Sequence, residues 1–175
     1  TSYRPDEMAA HVLRKLTERI GIDPMEVEDI KMGCVTQIGE QGMNIGRIAS
    51  LIAGFPVEVC GSSTNRMCGS SLDTLAQSAH AIMAGMSDCT IAAGVENMNR
   101  VPMGSDGGDF PDMLMSQYTI IPQGFSAELI AQRWQISREE MDHFSLSSHQ
   151  KALDAIEEGR FEREIVPIEV KNETG

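Results

Sequence analysis

A strand, a sharp turn and a helix are written into residues 57–83, and no other stretch restricts the fold as much. Val57 and Val59 lead into the small residues Gly61, Ser62 and Ser63. Cys68 follows, and Leu72, Leu75, Ala76, Ala79, Ile82 and Met83 then recur at helical spacing until Gly85. The pattern predicts a short strand, a tight turn and a helix buried along its apolar stripe, with a thiol where the helix begins. The first turn of a helix offers unpaired N–H groups and the positive end of the dipole, both of which stabilise a thiolate. Gly69 leaves room beside the sulfur for backbone or substrate. Free cysteines are among the most buried residues and most are inert, so the local pattern makes Cys68 a candidate nucleophile and goes no further.

The flanking sequence builds a scaffold for that turn. Pro5, Asp6 and Glu7 open a helix whose apolar positions are Met8, Ala9, Val12, Leu13, Leu16 and Ile20, and Gly21 stops it. Residues 29–36 read as a strand and residues 37–43 as a polar loop. Asn44 caps a second helix with Ile45, Ile48, Ala49 and Ile52 facing inward. Residues 88–95 form a continuous apolar run of the kind buried in parallel sheets, so the fold class is α/β with a layered sheet. Beyond Glu96 the character changes: residues 97–124 have no period, and a loop of that length points to function. A helix beginning at Ser126 holds Trp134 as a core anchor. Ser137-Arg138-Glu139-Glu140 is a capping box for a further amphipathic helix ending at Gly159, and residues 164–170 read as an edge strand containing Pro167.

Charge and cysteine usage exclude several function classes. The net charge is -12 over 175 residues, with 11 acids against 6 bases in residues 126–175, a surface that repels phosphate backbones and argues against nucleic acid. No run of 18 apolar residues and no signal-type N-terminus is present, which predicts a cytoplasmic protein without a membrane partner. The four cysteines include no C-x-x-C pair, and His11, His80, His143 and His149 fall on separate predicted helices, so no metal site is expected. Cys34 and Cys89 lie in apolar strand-like runs and read as core thiols; Cys60, eight residues before Cys68, is left open.

The wording of the Cys68 segment narrows the chemistry. Asn65-Arg66-Met67-Cys68-Gly69-Ser70-Ser71-Leu72, then Ala81-Ile82-Met83-Ala84-Gly85, then Gly94-Val95-Glu96-Asn97-Met98 closely resemble the thiolase family. Further collinear matches are Arg4-Pro5-Asp6, Met32-Gly33-Cys34-Val35, Asn44-Ile45-Gly46-Arg47, Pro122-Gln123-Gly124-Phe125-Ser126-Ala127-Glu128 and Ile136-Ser137-Arg138-Glu139-Glu140. The related ketoacyl synthases usually read Thr-Ala-Cys at the cysteine, where this chain has Arg-Met-Cys-Gly-Ser.

The resemblance implies a three-layer α/β/α N-terminal half over residues 1–96. Over residues 97–175 it implies a mainly helical loop domain that covers the active site and holds coenzyme A, with Gln123, Gly124 and Ser126 as candidate CoA-binding residues. It implies an acyl-enzyme on Cys68. Acyl-CoA and CoA would be the substrates, with no separate cofactor and no metal, in a dimeric or tetrameric homo-oligomer. It also implies elements that these residues do not contain: a first strand, a Gly-His-Pro histidine, an Asn-Glu-Ala-Phe motif and a Cys-x-Gly-Gly-Gly second cysteine. A chain without them is expected to be inactive alone, acting as a CoA-binding or scaffold chain or needing a complementary C-terminal half. Gln123 and Pro122 stand where many short-chain biosynthetic members carry Met and His, which leaves the acyl length open.

Overall fold

The structure, a computed structural model, describes residues 3–170. These form two compact units, one built from residues 3–107 and 166–170 and the other from Gly108–Ile165.

The first unit is a parallel three-stranded sheet with helices on both faces. Helix α1 (Pro5–Ile20) has Pro5 in its first turn and ends at Gly21, whose φ of 68° is the left-handed conformation that glycine adopts without penalty. Strand β1 (Asp29–Gly33) is central, flanked by β2 (Cys60–Thr64) and β3 (Thr90–Gly94) in register. Helix α2 (Ile45–Ala53) connects β1 to β2, and α3 (Ser70–Met83) carries the chain across β1 to β3. The Asn44 side chain caps α2 by accepting from the Arg47 N–H. Ala9 and Leu13 of α1 and Ile45 and Ala49 of α2 pack with Ile30, Met32, Cys34, Val59 and Ile91 into one hydrophobic cluster.

Two expectations fail in this unit for one reason, close approach of helix to strand. The small residues 61–63 belong to β2 itself rather than to a turn. A methyl on Gly61 would lie 2.8 Å from the Arg47 Cα, so side chains larger than hydrogen would hold α2 away from the sheet. Helix α3, in turn, buries Ser70, Thr74 and Ser78, not its apolar stripe. Leu72, Leu75, Ile82 and Met83 are exposed. Its inner face meets Gly33 and Gly94, paired neighbours in the sheet, and small side chains fit so near two glycines. Thr74 fills the gap by directing its hydroxyl to the Ser71 and Ala93 carbonyls, at 2.8 and 3.1 Å. The inward stripes of the other helices are also narrower than the sequence predicts, since Val12, Ile20 and Ile52 are exposed.

The second unit is helical: α4 (Asp112–Gln117), α5 (Gln123–Trp134) and α6 (Arg138–Glu157). Helix α4 lies inside what reads in sequence as unbroken loop. Helix α5 starts three residues before Ser126, with Pro122 at its cap position, where the fixed φ of proline suits entry into a helix. The Ser137–Glu140 capping box is present and opens α6. Trp134 is exposed rather than a core anchor, with the Arg133 guanidinium 5.2 Å from its ring centroid. Residues 165–170 form no strand; the Pro167 carbonyl lies 3.1 Å from Nε2 of His11 instead.

Candidate active site

Parallel strands deliver their carboxyl ends to one edge of a sheet, and ligand sites in such sheets lie outside that edge. Here the edge gathers Cys34–Thr36 after β1, Asn65–Gly69 after β2 and Val95–Asn97 after β3.

Cys68 lies in the second of these segments, immediately before Gly69, the N-cap of α3, and is exposed. The turn that holds it is tight. Met67 has a φ of 49°, a left-handed conformation uncommon for a side chain of its kind. Ser70, buried at the start of α3, is one of the supports of that conformation. Its hydroxyl accepts from the Arg66 N–H at 2.9 Å and donates to the Met67 carbonyl at 2.5 Å. The Gly69 N–H closes onto the Arg66 carbonyl at 3.1 Å, and the Arg66 guanidinium pairs with Asp73 one turn into the helix. A methyl at Gly69 would touch only the Arg66 carbonyl, at 3.4 Å, so this glycine leaves open space beside the thiol.

The other thiols divide as their surroundings dictate. Cys34 is buried, and burial first, then the negative charges of Glu96 and Asp106, pushes its thiol up to about 12. Cys60 is exposed at the start of β2, and Cys89 is half-buried against the core. Helix α3 rises about 1.5 Å per residue, and His80 lies in its last turn. That separation places His80 far from the thiol as a base.

Sequence reasoning passed over Glu96. Its carboxylate accepts from the Val35 N–H at 2.8 Å and from the Gln41 amide at 2.7 Å, tying the end of β3 to the segment after β1. Gln41 is fully buried and its carbonyl accepts from the Asn97 N–H at 2.7 Å. An acid directly after a buried apolar strand was the available signal, because a charge there needs partners.

Of the other candidates, Gln123 and Gly124 are exposed in the first turn of α5 and Ser126 is half-buried one turn in, with its N–H bonded to the Pro122 carbonyl at 3.2 Å. They belong to the second unit. Among the described residues no group of His, Cys, Asp and Glu is arranged to hold a metal ion, and no helix is long and apolar enough to cross a membrane.

Residues 1–175 match the family model for the thiolase N-terminal domain. The chain belongs to the thiolase family. It is 43% identical over 168 residues to a 3-ketoacyl-CoA thiolase of Aliivibrio salmonicida, covering 94% of this chain and 43% of the relative. It is 44% identical over 174 residues to a 3-ketoacyl-CoA thiolase of Psychrobacter cryohalolentis, covering 98% and 44%. A steroid 3-ketoacyl-CoA thiolase of Mycobacterium tuberculosis is 40% identical over 181 residues, covering 96% and 44%. This thiolase-family chain therefore spans less than half the length of the curated relatives it matches.

Proposed function

We propose that the protein is a thiolase-type acyltransferase in which Cys68 carries the acyl group. In the cleavage direction the Cys68 thiolate attacks the 3-keto carbonyl of a 3-ketoacyl-CoA. The bond between C2 and C3 breaks, and the departing acetyl-CoA carbanion takes a proton. The thiol of a second CoA then attacks the acyl thioester on Cys68, releasing a shortened acyl-CoA and restoring the cysteine. The reverse sequence is a Claisen condensation of two acyl-CoAs. A thiolate suits both halves, since it is a strong nucleophile and its thioester keeps the carbonyl reactive.

The observation that carries this reading is the exposed thiol on a tight turn at the carboxyl edge of a parallel sheet, directly before a helix. The family resemblance supplies the acid–base partners from motifs outside residues 1–175, on the same polypeptide or a complementary one. It also assigns residues 97–175 to a loop domain in which Gln123, Gly124 and Ser126 hold CoA. Exposed N–H groups in the first turn of α5 suit an anionic ligand. Acyl-CoA and CoA are the substrates, no metal takes part, and the exposed apolar face of α3 is suited to a homo-oligomer in the cytoplasm.

Incubation with acetyl-CoA followed by peptide mass spectrometry tests the proposal. Acetylation of Cys68, absent in Cys68→Ala, is the expected result. Binding of CoA with no acyl adduct would instead make this a catalytically incomplete CoA-binding chain.

A further inference from the structure

We propose that Asn65 is a positioning residue for Cys68, acting as a tether between the thiol-bearing turn and the segment after β1 that Glu96 holds in place. The inference rests on Cys68 being the reactive thiol of the site just described.

Asn65 makes two hydrogen bonds with opposite ends of its amide. The Nδ2 group donates to the Val35 carbonyl at 2.9 Å, and Oδ1 accepts from the Met67 N–H at 2.9 Å. The assignment of the two ends is forced by the partners, because a flipped amide would set an N–H against an N–H and an oxygen against a carbonyl. The first bond reaches across the sheet edge. The second is an Asx turn that spans the residue before Met67 and favours its left-handed conformation.

Val35 is itself fixed from the far side: its N–H donates to Glu96, and Glu96 is fixed in turn by Gln41. A continuous line therefore runs from the end of β3 through Glu96, Val35 and Asn65 to the Met67 N–H, one residue from the thiol. Each link is 2.7–2.9 Å long. A turn held at φ 49° needs such support, since nothing in the Met67 side chain favours that conformation. With Asn65 in place the cysteine is presented at the start of α3; without it the turn relaxes and the thiol leaves that position.

The test compares the alkylation of Cys68 with that of Cys60 in the same sample of the purified protein. Cys60 is exposed at the opposite end of β2, so it reports reagent, pH and gross unfolding while lying outside the turn. In Asn65→Ala, which removes both hydrogen bonds, the ratio of Cys68 to Cys60 carbamidomethylation by limiting iodoacetamide falls about tenfold, within the scale of two lost orienting hydrogen bonds. In Asn65→Ser the hydroxyl still accepts from the Met67 N–H as an ST turn, but the donor to the Val35 carbonyl is gone and the ratio stays well below the parent's. A ratio in Asn65→Ala that is unchanged or raised overturns the proposal. So does an Asn65→Ser ratio equal to the parent's, which would assign the effect to the local turn without the bond to Val35. The readout needs no CoA chemistry. Failure of acetyl-CoA to label Cys68 would count against the acyltransferase reading while leaving this comparison intact.

Discussion

Gly33→Ala probes the seating of the Cys68 helix directly. Gly33 ends the central strand, where β2 and β3 flank it and Met32 packs toward α2 on the other face. An added methyl would lie 2.6 Å from the Ser71 nitrogen, 2.7 Å from the Ser70 carbonyl carbon and 2.9 Å from the Ser71 Cα. All three are backbone atoms, so no rotamer change relieves the clash. Ordinary contact begins near 3.4 Å, which requires the first turn of α3 to move by about 0.8 Å. Overpacking of this kind costs roughly 1–3 kcal/mol. Replacing a strand glycine recovers about 0.5–1 kcal/mol of backbone entropy, so the net loss is on the order of 1–2 kcal/mol. Urea unfolding should show that loss as a lowered midpoint at unchanged slope. Because Cys68 lies three residues before Ser71, its acylation should fall about a hundredfold, as a displacement near 1 Å in a catalytic group does. Gly108→Ala, where a methyl meets nothing within 4 Å, is the control. A Gly33→Ala protein with the parent's midpoint and acylation rate would show that α3 is not seated by this contact.

Three further outcomes follow from other sites. The Cys34 thiol is raised from 9.0 to about 12 in the fold, so its contribution is complete below pH 9. Above that the unfolded chain releases its proton first, and stability falls by about 1.4 kcal/mol per pH unit until the folded thiol titrates near 12. Cys34→Ala should remove this slope from urea midpoints measured between pH 8.5 and 10.5, and an identical slope would refute the assignment. Ser137→Ala removes the hydroxyl half of the capping box of α6, while the Ser137 N–H still donates to Glu140, and should cost about 1 kcal/mol, seen as reduced helical circular dichroism on warming; no change would mean the hydroxyl is dispensable. Gly124→Ala meets no atom within 4 Å and lies in the first turn of α5, so stability should hold or rise slightly while CoA binding by calorimetry weakens; unaltered binding would remove Gly124 from the proposed CoA site.

The elements most legible in the sequence are those fixed by local chemistry. Pro5 and Gly21 bound α1, Asn44 caps α2, and the Ser137–Glu140 box opens α6, because each signal acts within a few residues of itself. Cys68 before a helix was legible for the same reason. Where tertiary packing decides, the reading was poorer. Gly61 to Ser63 resemble turn residues, yet they are small because α2 lies against them. The apolar stripe of α3 resembles a core face, yet the glycines beneath the helix select its hydroxyl-bearing side. Asn65 and Glu96 were invisible as a pair, since the bonds that join them pass through the backbone of Val35, 30 and 61 positions away in sequence.

The hydrophobic cluster that joins α1, α2, β1 and β3 contains no side chain from α3. A helix attached through hydroxyls and glycine contacts, with its leucines turned to solvent, opens at a lower free energy than the body it rests on. Amides of α3 should then exchange sooner than those of α2, and the two helices would belong to different cooperative units. Cys68 would sit at the hinge between them, anchored to the slow unit by Asn65 and leading into the fast one through Gly69.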